Sequence, residues 1–574
     1  MCGIFFSIGF ENLPPSVIDS VIHRGPDGRG WNEFSSPVGP VIIAHRRLAI
    51  VDLSIDGHQP MSSDDGRYWV TYNGEIYNYL EIRKELEKLG HHFRTKTDTE
   101  VLLKSYLEWG EDCLNNFNGM FAFVIWDDKE KQVFAARDRF GVKPFYLYQQ
   151  GKKIAFASEI KQFKHLPDWV GILNKEMGDE YLHTGYCDHK KETLYNNVLQ
   201  LLSGKYLTFN AINNSIKFVR WYDLKSRICS KNISDEEAIS TFKSLFIDAI
   251  RLRLRSDVSV GACLSGGLDS SSIVSMIREI QGPTKEIYTF SSVFPGHKED
   301  ESTYIDELAL RKNLTSNKNY SSLDECLIKI SEILFHQDLP FSGTSVFAQW
   351  KTFENAKNVG ITVLLDGQGA DESLLGYPGM LNGIIFYYLK KLDFLNLFKF
   401  VKWQTKYNNQ VPKTTFLLGL QQKFPQVYIA LLKVFKKNPC EDKISVGSSL
   451  TDICLQHFLN NLQTLLRYED RNSMAFSRES RLPFLDYRLV EFIFSLPINK
   501  RFRNTKTKWI LREAMKGLNT DSVLNRRDKI GFATPENDWL MQIKNNPNCL
   551  IKDCNLNFHQ FIFNFWLNEQ KISY

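Results

Sequence analysis

The chain has 574 residues, 43% of them apolar and 24% charged, so it is too long for one core and too apolar for general disorder. A net charge of +5 is small for this length and is no argument for nucleic acid, so none is expected as a partner. The ten cysteines are scattered without a CxxC pair, which speaks against a zinc site or a disulfide framework, and no apolar run reaches the roughly 20 residues of a membrane span.

"MCGIFFSIGF" opens the chain without the basic region of a signal peptide, so a cytoplasmic location is expected, where Cys2 stays a thiol. Removal of Met1 would place a thiol and a free α-amine on one residue; the plainer alternative is a chance cysteine. Up to residue 210 there follow short β-branched and aromatic runs broken by Gly, Asn and Asp, such as "PVIIAHRRLAIVDL" and "YWVTYNGEIYNY". They predict an α+β domain over 2–210, with packed sheets flanked by helices. "NYLEIRKELEKLG" reads as a helix stopped at Gly90.

Polar "KSRICSKNIS" suggests a linker over 211–234, with the boundary near residue 230. A capping box from Ser234 to Glu237 starts a helix. Short apolar strands then alternate with helical segments, the pattern of a parallel sheet with crossover helices over 235–545. Residues 380–450 read as a helical insert. Its basic aromatic part, "GIIFYYLKKLDFLNLFKFVKWQTKYNNQ", suits a membrane surface or a partner, or, in the favoured reading, a helix burying its aromatics beneath lysine stems. Residues 546–574 read as a C-terminal helical extension.

"ACLSGGLDSSSIVSMI" is the sharpest local motif. A strand ending at Leu264 runs into a small-residue turn and a helix starting near Ser270. Ser265, Gly266, Gly267, Asp269, Ser270 and Ser271 can then close around phosphate oxygens. Without a Gly-Lys-Ser/Thr ending this is not a Walker A loop; it resembles the pyrophosphate loop of N-type ATP pyrophosphatases. "LLDGQGADESLLGY" also follows an apolar strand, and strand ends of a parallel sheet share one crevice. Asp269 and Asp371, with Glu372 beside them, would there meet Mg²⁺ and the phosphates.

"HRGPDG", "RRLAIVD", "YNGEIYN", "TDTE", "DRFGVKPFYLY", "LSGGLDSS", "DGQGADE", "RNSMAFSRESRLPFLDYRLVEF" and "KIGFATP" occur in that order. Together they resemble the glutamine-hydrolysing asparagine synthetase family along nearly the whole chain. The resemblance implies a class II glutamine amidotransferase domain of N-terminal-nucleophile (Ntn) type, an αββα sandwich, followed by an α/β synthetase domain of the N-type ATP pyrophosphatase kind. Cys2 would be the nucleophile, its own amine taking the thiol proton. Asn73 and Gly74 would form the oxyanion hole, Arg47 would hold the glutamine carboxylate, and Glu75 and Asp98 its ammonium. ATP would lie near Leu264, Ser292 and the Asp366–Gly367 turn. The implied reaction takes ammonia from glutamine, adenylates aspartate with release of pyrophosphate, and forms asparagine and AMP.

Family members carry Gly-Glu-Gly-x-Asp-Glu where this chain has "GQGADE". Gln368 occupies the position assigned to adenylate formation and ammonia deprotonation, yet it cannot be a base; Asp366 stands where many members have Ser. Another carboxylate acceptor, such as a sugar uronic acid or a cell-wall amino acid, therefore stays open beside aspartate. An inactive regulatory homologue is a third reading, opposed by the intact Cys2, Asn73, Gly74, Asp98 and phosphate loop. A closed ammonia passage is expected, and a homodimer is left open.

Overall fold

The computed structural model describes residues 2–377, 380–381, 384, 387–388, 391, 393–407, 450–527, 534–545, 557–570 and 572. "GIFFSI" (Gly3–Ile8) is apolar apart from Ser7 and buried at every position, because both of its faces are covered. It lies inside a six-stranded sheet ordered Val198–Gln200, Tyr146–Gln150, Lys153–Ala157, Gly3–Ile8, Gly39–Arg47, Gly28–Ser36. A second six-stranded sheet runs Ser215–Arg220, Lys205–Asn210, Gln132–Arg137, Gly119–Asp127, Tyr68–Ile76, Met61–Ser62. The registered strand pairs in both are antiparallel.

The two sheets meet face to face through residues such as Ile4, Phe6, Ile43, Val124, Trp126 and Phe209. Helices Tyr79–Lys88 and Asp98–Trp109 cover the outer face of the second sheet. Gly90 follows the first of these with φ +96, the left-handed stop its sequence suggested. The result is an αββα sandwich. The stretch 211–234, expected as linker, opens inside this sandwich: Ser215–Arg220 pairs with Lys205–Asn210 as an edge strand. Its exposed, half-polar "SIKFVR" explains why it read as a connection.

Ser234 accepts a hydrogen bond from Glu237 N at 3.1 Å and caps helix Asp235–Arg253. The second half is built on a five-stranded parallel sheet ordered Thr315–Tyr320, Tyr288–Val293, Val260–Cys263, Val363–Leu365, Glu479–Arg481. Within the insert, helix Phe394–Tyr407 buries Phe400 and sets Trp403 near Phe502 at 6.3 Å, while Phe394, Leu395 and Phe398 face outward. One stripe of the helix is covered rather than the whole aromatic set. The rest of the insert over 408–449, residues 528–533 of the "KIGFATP" region, and 546–556 lie outside the described residues. Helix Phe558–Gln570 packs back on the first half, Phe563 stacking on Tyr181 at 5.5 Å and Trp566 meeting Tyr195 edge-on at 5.6 Å.

A buried ionic cluster joins the two halves. Glu159 receives Arg24 at 2.8 Å, His23 at 3.1 Å and Lys161. From helix Leu450–Ala475, Asp470 takes both guanidinium nitrogens of Arg24 and Arg471 reaches Glu159 at 3.5 Å. Asp338 completes the set against Lys161 at 3.1 Å and Arg471 at 3.6 Å. Glu159, Asp338 and Asp470 thus balance Arg24, Lys161 and Arg471. Burial alone would push the Glu159 carboxyl up; Lys161, His23 and Arg471 overcome it and hold it well below the usual carboxylate range. Glu159→Gln leaves this buried cluster one negative charge short, so the variant is expected to lose about 3–5 kcal/mol in a chemical-denaturation series. An unchanged midpoint would show that the cluster does not tie the halves together.

Candidate active sites

Cys2 immediately precedes the strand Gly3–Ile8 and is only 7% exposed. Its backbone nitrogen donates to Asn73 Oδ1 at 2.9 Å. Asn73 sits on strand Tyr68–Ile76, itself fully buried, and its Nδ2 has no hydrogen-bond partner among the described residues. One amide therefore holds the nitrogen of Cys2 with its oxygen and keeps an unused donor. A side chain at Gly74 would bring its Cβ to 2.1 Å from Met120 O on the neighbouring strand, so the strand position after Asn73 requires glycine. Burial raises the Cys2 thiol, while the positive charge of the chain terminus, the Leu48 N–H and Arg47 pull it down. No histidine hydrogen-bonds to Cys2 among the described residues, and buried His45 is pushed down to about 3, so it stays neutral.

Arg47 is oriented by loop carbonyls rather than by an acid: it donates to Ser54 O at 2.6 Å and to Asp52 O. Among the described residues no carboxylate pairs with it, so its charge is available to an anion. Asp98, the first residue of its helix, accepts from Tyr72 OH at 2.8 Å and from Ile76 N at 2.9 Å through the same oxygen. Burial outweighs those donors and lifts it to about 6. Glu75 is pushed well above the carboxylate range by burial and by Asp98. It comes to the site as expected, but Arg481 of the second half already lies 3.5 Å from it.

In the second half the expected loops meet at the C-terminal ends of the parallel strands. Strand Val260–Cys263 ends one residue before Leu264, and the helix runs Leu268–Gln281, two residues earlier than read, because Gly267 serves as its N-cap. Leu264 is buried, donating to Phe290 O at 2.9 Å. Ser270 Oγ accepts from Ser265 N at 3.1 Å and lies 3.1 Å from Ser265 Oγ. Ser271 Oγ is buried without a partner among the described residues. Gly266 has φ +75, and a Cβ there would press on Glu301 O at 3.2 Å. Ser292 Oγ receives Asn319 Nδ2 at 3.3 Å. The second turn touches the first: a Cβ on Gly367 would lie 3.3 Å from Asp269 Cβ and 3.5 Å from Ser270 N.

Asp269 and Asp371 do converge, and Lys508 stands between them, its Nζ 2.5 Å from each. Glu372 instead accepts from Tyr377 OH at 2.7 Å. Two carboxylates on one point, with no third acidic, His or Cys group clustered among the described residues, suit a cation whose other ligands are phosphate and water, as Mg²⁺ prefers. Gln368 hydrogen-bonds Glu469 of the long helix, away from this pair.

Sequence reasoning missed Lys508, Glu469, Glu479 and Arg481. Nothing in "TKTKWILREA" sets Lys508 apart from Lys506. Glu479 and Arg481 lie in a quoted motif that carried no assigned role. On strand Glu479–Arg481 successive side chains face opposite ways. Glu479 and Arg481 pair at 2.6 Å and face Glu75, whereas Ser480 donates to Glu469 at 2.5 Å beside the nucleotide turn. One strand is thus shared by both sites.

A sandwich with a cysteine at the head of a central strand, joined to a parallel sheet with a phosphate-type loop, defines an Ntn-type glutamine amidotransferase coupled to a nucleotide-binding domain. The model of the glutamine amidotransferase domain matches residues 1–222, and that of asparagine synthase residues 241–561. Glutamine-hydrolyzing asparagine synthetase 3 of Bacillus subtilis is 30% identical over 556 residues, covering 92% of this chain and 86% of that protein. Glutamine-hydrolyzing asparagine synthetase 1 of the same organism is 31% identical over 557 residues, covering 92% and 85%. Amidase chry2 of Gibberella zeae is 26% identical over 605 residues, covering 92% and 86%. The chain belongs to the asparagine synthase family. It is a glutamine-hydrolysing carbon–nitrogen ligase.

Proposed function

We infer that the protein frees ammonia from glutamine at Cys2 and uses it to convert aspartate, activated by ATP as an acyl-adenylate, into asparagine. The observation that carries this reading is the shared strand Glu479–Arg481, whose Arg481 reaches Glu75 beside the amidotransferase residues and whose Ser480 bonds Glu469 beside the nucleotide turn. Ammonia released into neutral water would become ammonium and lose its nucleophilic pair, so adjacent sites favour transfer in a closed passage.

Met1 is removed, and the amine of Cys2, steadied by Asn73 Oδ1, takes the thiol proton. The thiolate attacks the glutamine amide, and the resulting oxyanion is received by Asn73 Nδ2 and Gly74 N–H. Arg47 binds the substrate carboxylate and Asp98 its ammonium, with Glu75 shared between the ligand and Arg481. In the second site Ser265 to Ser271 and Lys508 bind pyrophosphate. Asp269 and Asp371 would hold Mg²⁺, which would offset phosphate charge; Leu264, Ser292 and the Asp366–Gly367 turn border the nucleoside.

Asp98 gives this pocket a pH dependence. Its raised value means that its contribution to folding stability is full below the ordinary 3.8 and is lost as pH rises through about 6. A bound ammonium group offsets that loss. The KM for glutamine is therefore expected to rise as pH falls below about 6, by about tenfold per unit at the steepest. Asp98→Asn should raise KM and flatten the profile; a wild-type KM constant from pH 5 to 7 contradicts the assignment.

A second acceptor is favoured by one observation: Asp366 and Gln368 shape the turn where family members carry Ser and Glu. The deciding experiment supplies Mg-ATP, glutamine and a panel of acids, and measures pyrophosphate with each. Release dependent on aspartate supports asparagine synthesis. Release only with a uronic acid or a cell-wall amino acid moves the protein to that substrate.

A further inference from the structure

Ammonia that attacks an acyl-adenylate acquires a positive charge on nitrogen, so a proton acceptor must stand at the adenylating turn; this argument rests on the amide-forming reading. Asp269 and Asp371 both face the Lys508 ammonium, and the Gln368 amide is not basic. A different carboxyl pair reaches the turn. Asp366 closes strand Val363–Leu365, is 4% exposed, donates its N–H to Arg481 O at 3.0 Å and accepts Gly367 N on Oδ1 at 2.5 Å. Its Oδ2 is buried and receives no hydrogen bond among the described residues.

The carboxyl of Glu469 lies against Asp366, close enough to share a proton. Glu469 is 2% exposed, and Ser480 Oγ, Gln349 Nε2 and Gln368 are bonded to it. Gln349 is itself held by Asn472 Nδ2 at 2.9 Å. Two touching buried carboxyls do not both ionise, so a proton lies between them. Burial raises both carboxyls, and the charge of Asp366 raises Glu469 further, so the pair holds a proton in common. Cys263 and, at longer range, Asp269 are the other titratable groups facing Asp366.

We propose that Asp366, sharing one proton with Glu469, is the proton acceptor of the amide-forming step. The ammonia lone pair forms the N–C bond as the carbonyl π pair moves to oxygen. A proton passes from nitrogen to the Asp366 carboxylate. The carbonyl re-forms, and the C–O bond to AMP breaks with its electron pair on the phosphate. Ser480, on the strand shared with the amidotransferase site, positions Glu469 for this exchange.

The test measures amide and pyrophosphate together, on the full chain and with the acid the wild type activates, for Asp366→Asn, Glu469→Gln and the double variant Asp366→Asn/Gln368→Glu. In both single variants the amide-to-pyrophosphate ratio is expected to fall about 100-fold, as stranded adenylate is lost to water. The double variant, with its carboxylate two residues along, should recover at least about tenfold of that ratio, which mere repair of folding would not do. Single-variant ratios within about threefold of wild type overturn the proposal, as does a double variant no better than Asp366→Asn. If the wild type releases no pyrophosphate with any acid, the amide-forming reading itself falls, and the pair falls with it.

Discussion

Cys2→Ala is expected to reduce glutamine hydrolysis by about 10,000-fold or more, the scale on which loss of a covalent nucleophile is felt. Alanine keeps the start of strand Gly3–Ile8 and its bond from residue 2 N to Asn73, so the sandwich should persist. Amide formation fed with ammonium salts should continue, because the nucleotide turn lies across strand Glu479–Arg481 and, among the described residues, makes no contact with the thiol. The measurement is glutamate release from glutamine beside amide yield from either nitrogen source. An equal fall with both sources would show that the sites do not divide the work as described.

Lys508→Ala should be the corresponding lesion in the second half. Its ammonium is the charge that lets Asp269 and Asp371 approach one point, and it would meet the pyrophosphate leaving group. Removing it leaves two carboxylates opposed and one phosphate donor fewer, for an expected fall in pyrophosphate formation of about 100- to 1,000-fold. Lys508→Arg restores the charge without the compact ammonium geometry and should recover only part of the rate. A thermal melt separates repulsion from lost chemistry: extra Mg²⁺ should restore much of the melting temperature of Lys508→Ala but little of its rate. Turnover within about threefold of wild type would remove Lys508 from the site.

The candidate amidotransferase site was largely legible because its parts are local. Cys2, Arg47, Asn73–Glu75 and Asp98 each sit in a short motif at the end or bend of one element, and antiparallel pairing of near neighbours in the chain brings them together. The phosphate loop was legible for the same reason, since a strand, two glycines and a helix N-terminus are consecutive. The loop before helix Leu268–Gln281 was misplaced by two residues only because propensity does not fix a cap.

The rest depended on the order of strands. Glu479–Arg481 lies beside Val363–Leu365, more than a hundred residues earlier, and Lys508 reaches Asp269 across 239 positions. Glu75 meets Arg481, and Glu469 meets Asp366, for the same reason. The amino-acid sequence by itself determined the two halves, the candidate nucleophile and the phosphate loop, since short-range periodicity and turn chemistry dictate those. Only the tertiary structure decided which charges are buried together, and therefore which carboxyls are neutralised by Lys508 and which must share a proton. The worth of a charge depends on its distance to a partner and on the dielectric around it, and neither quantity is written in a string of residues.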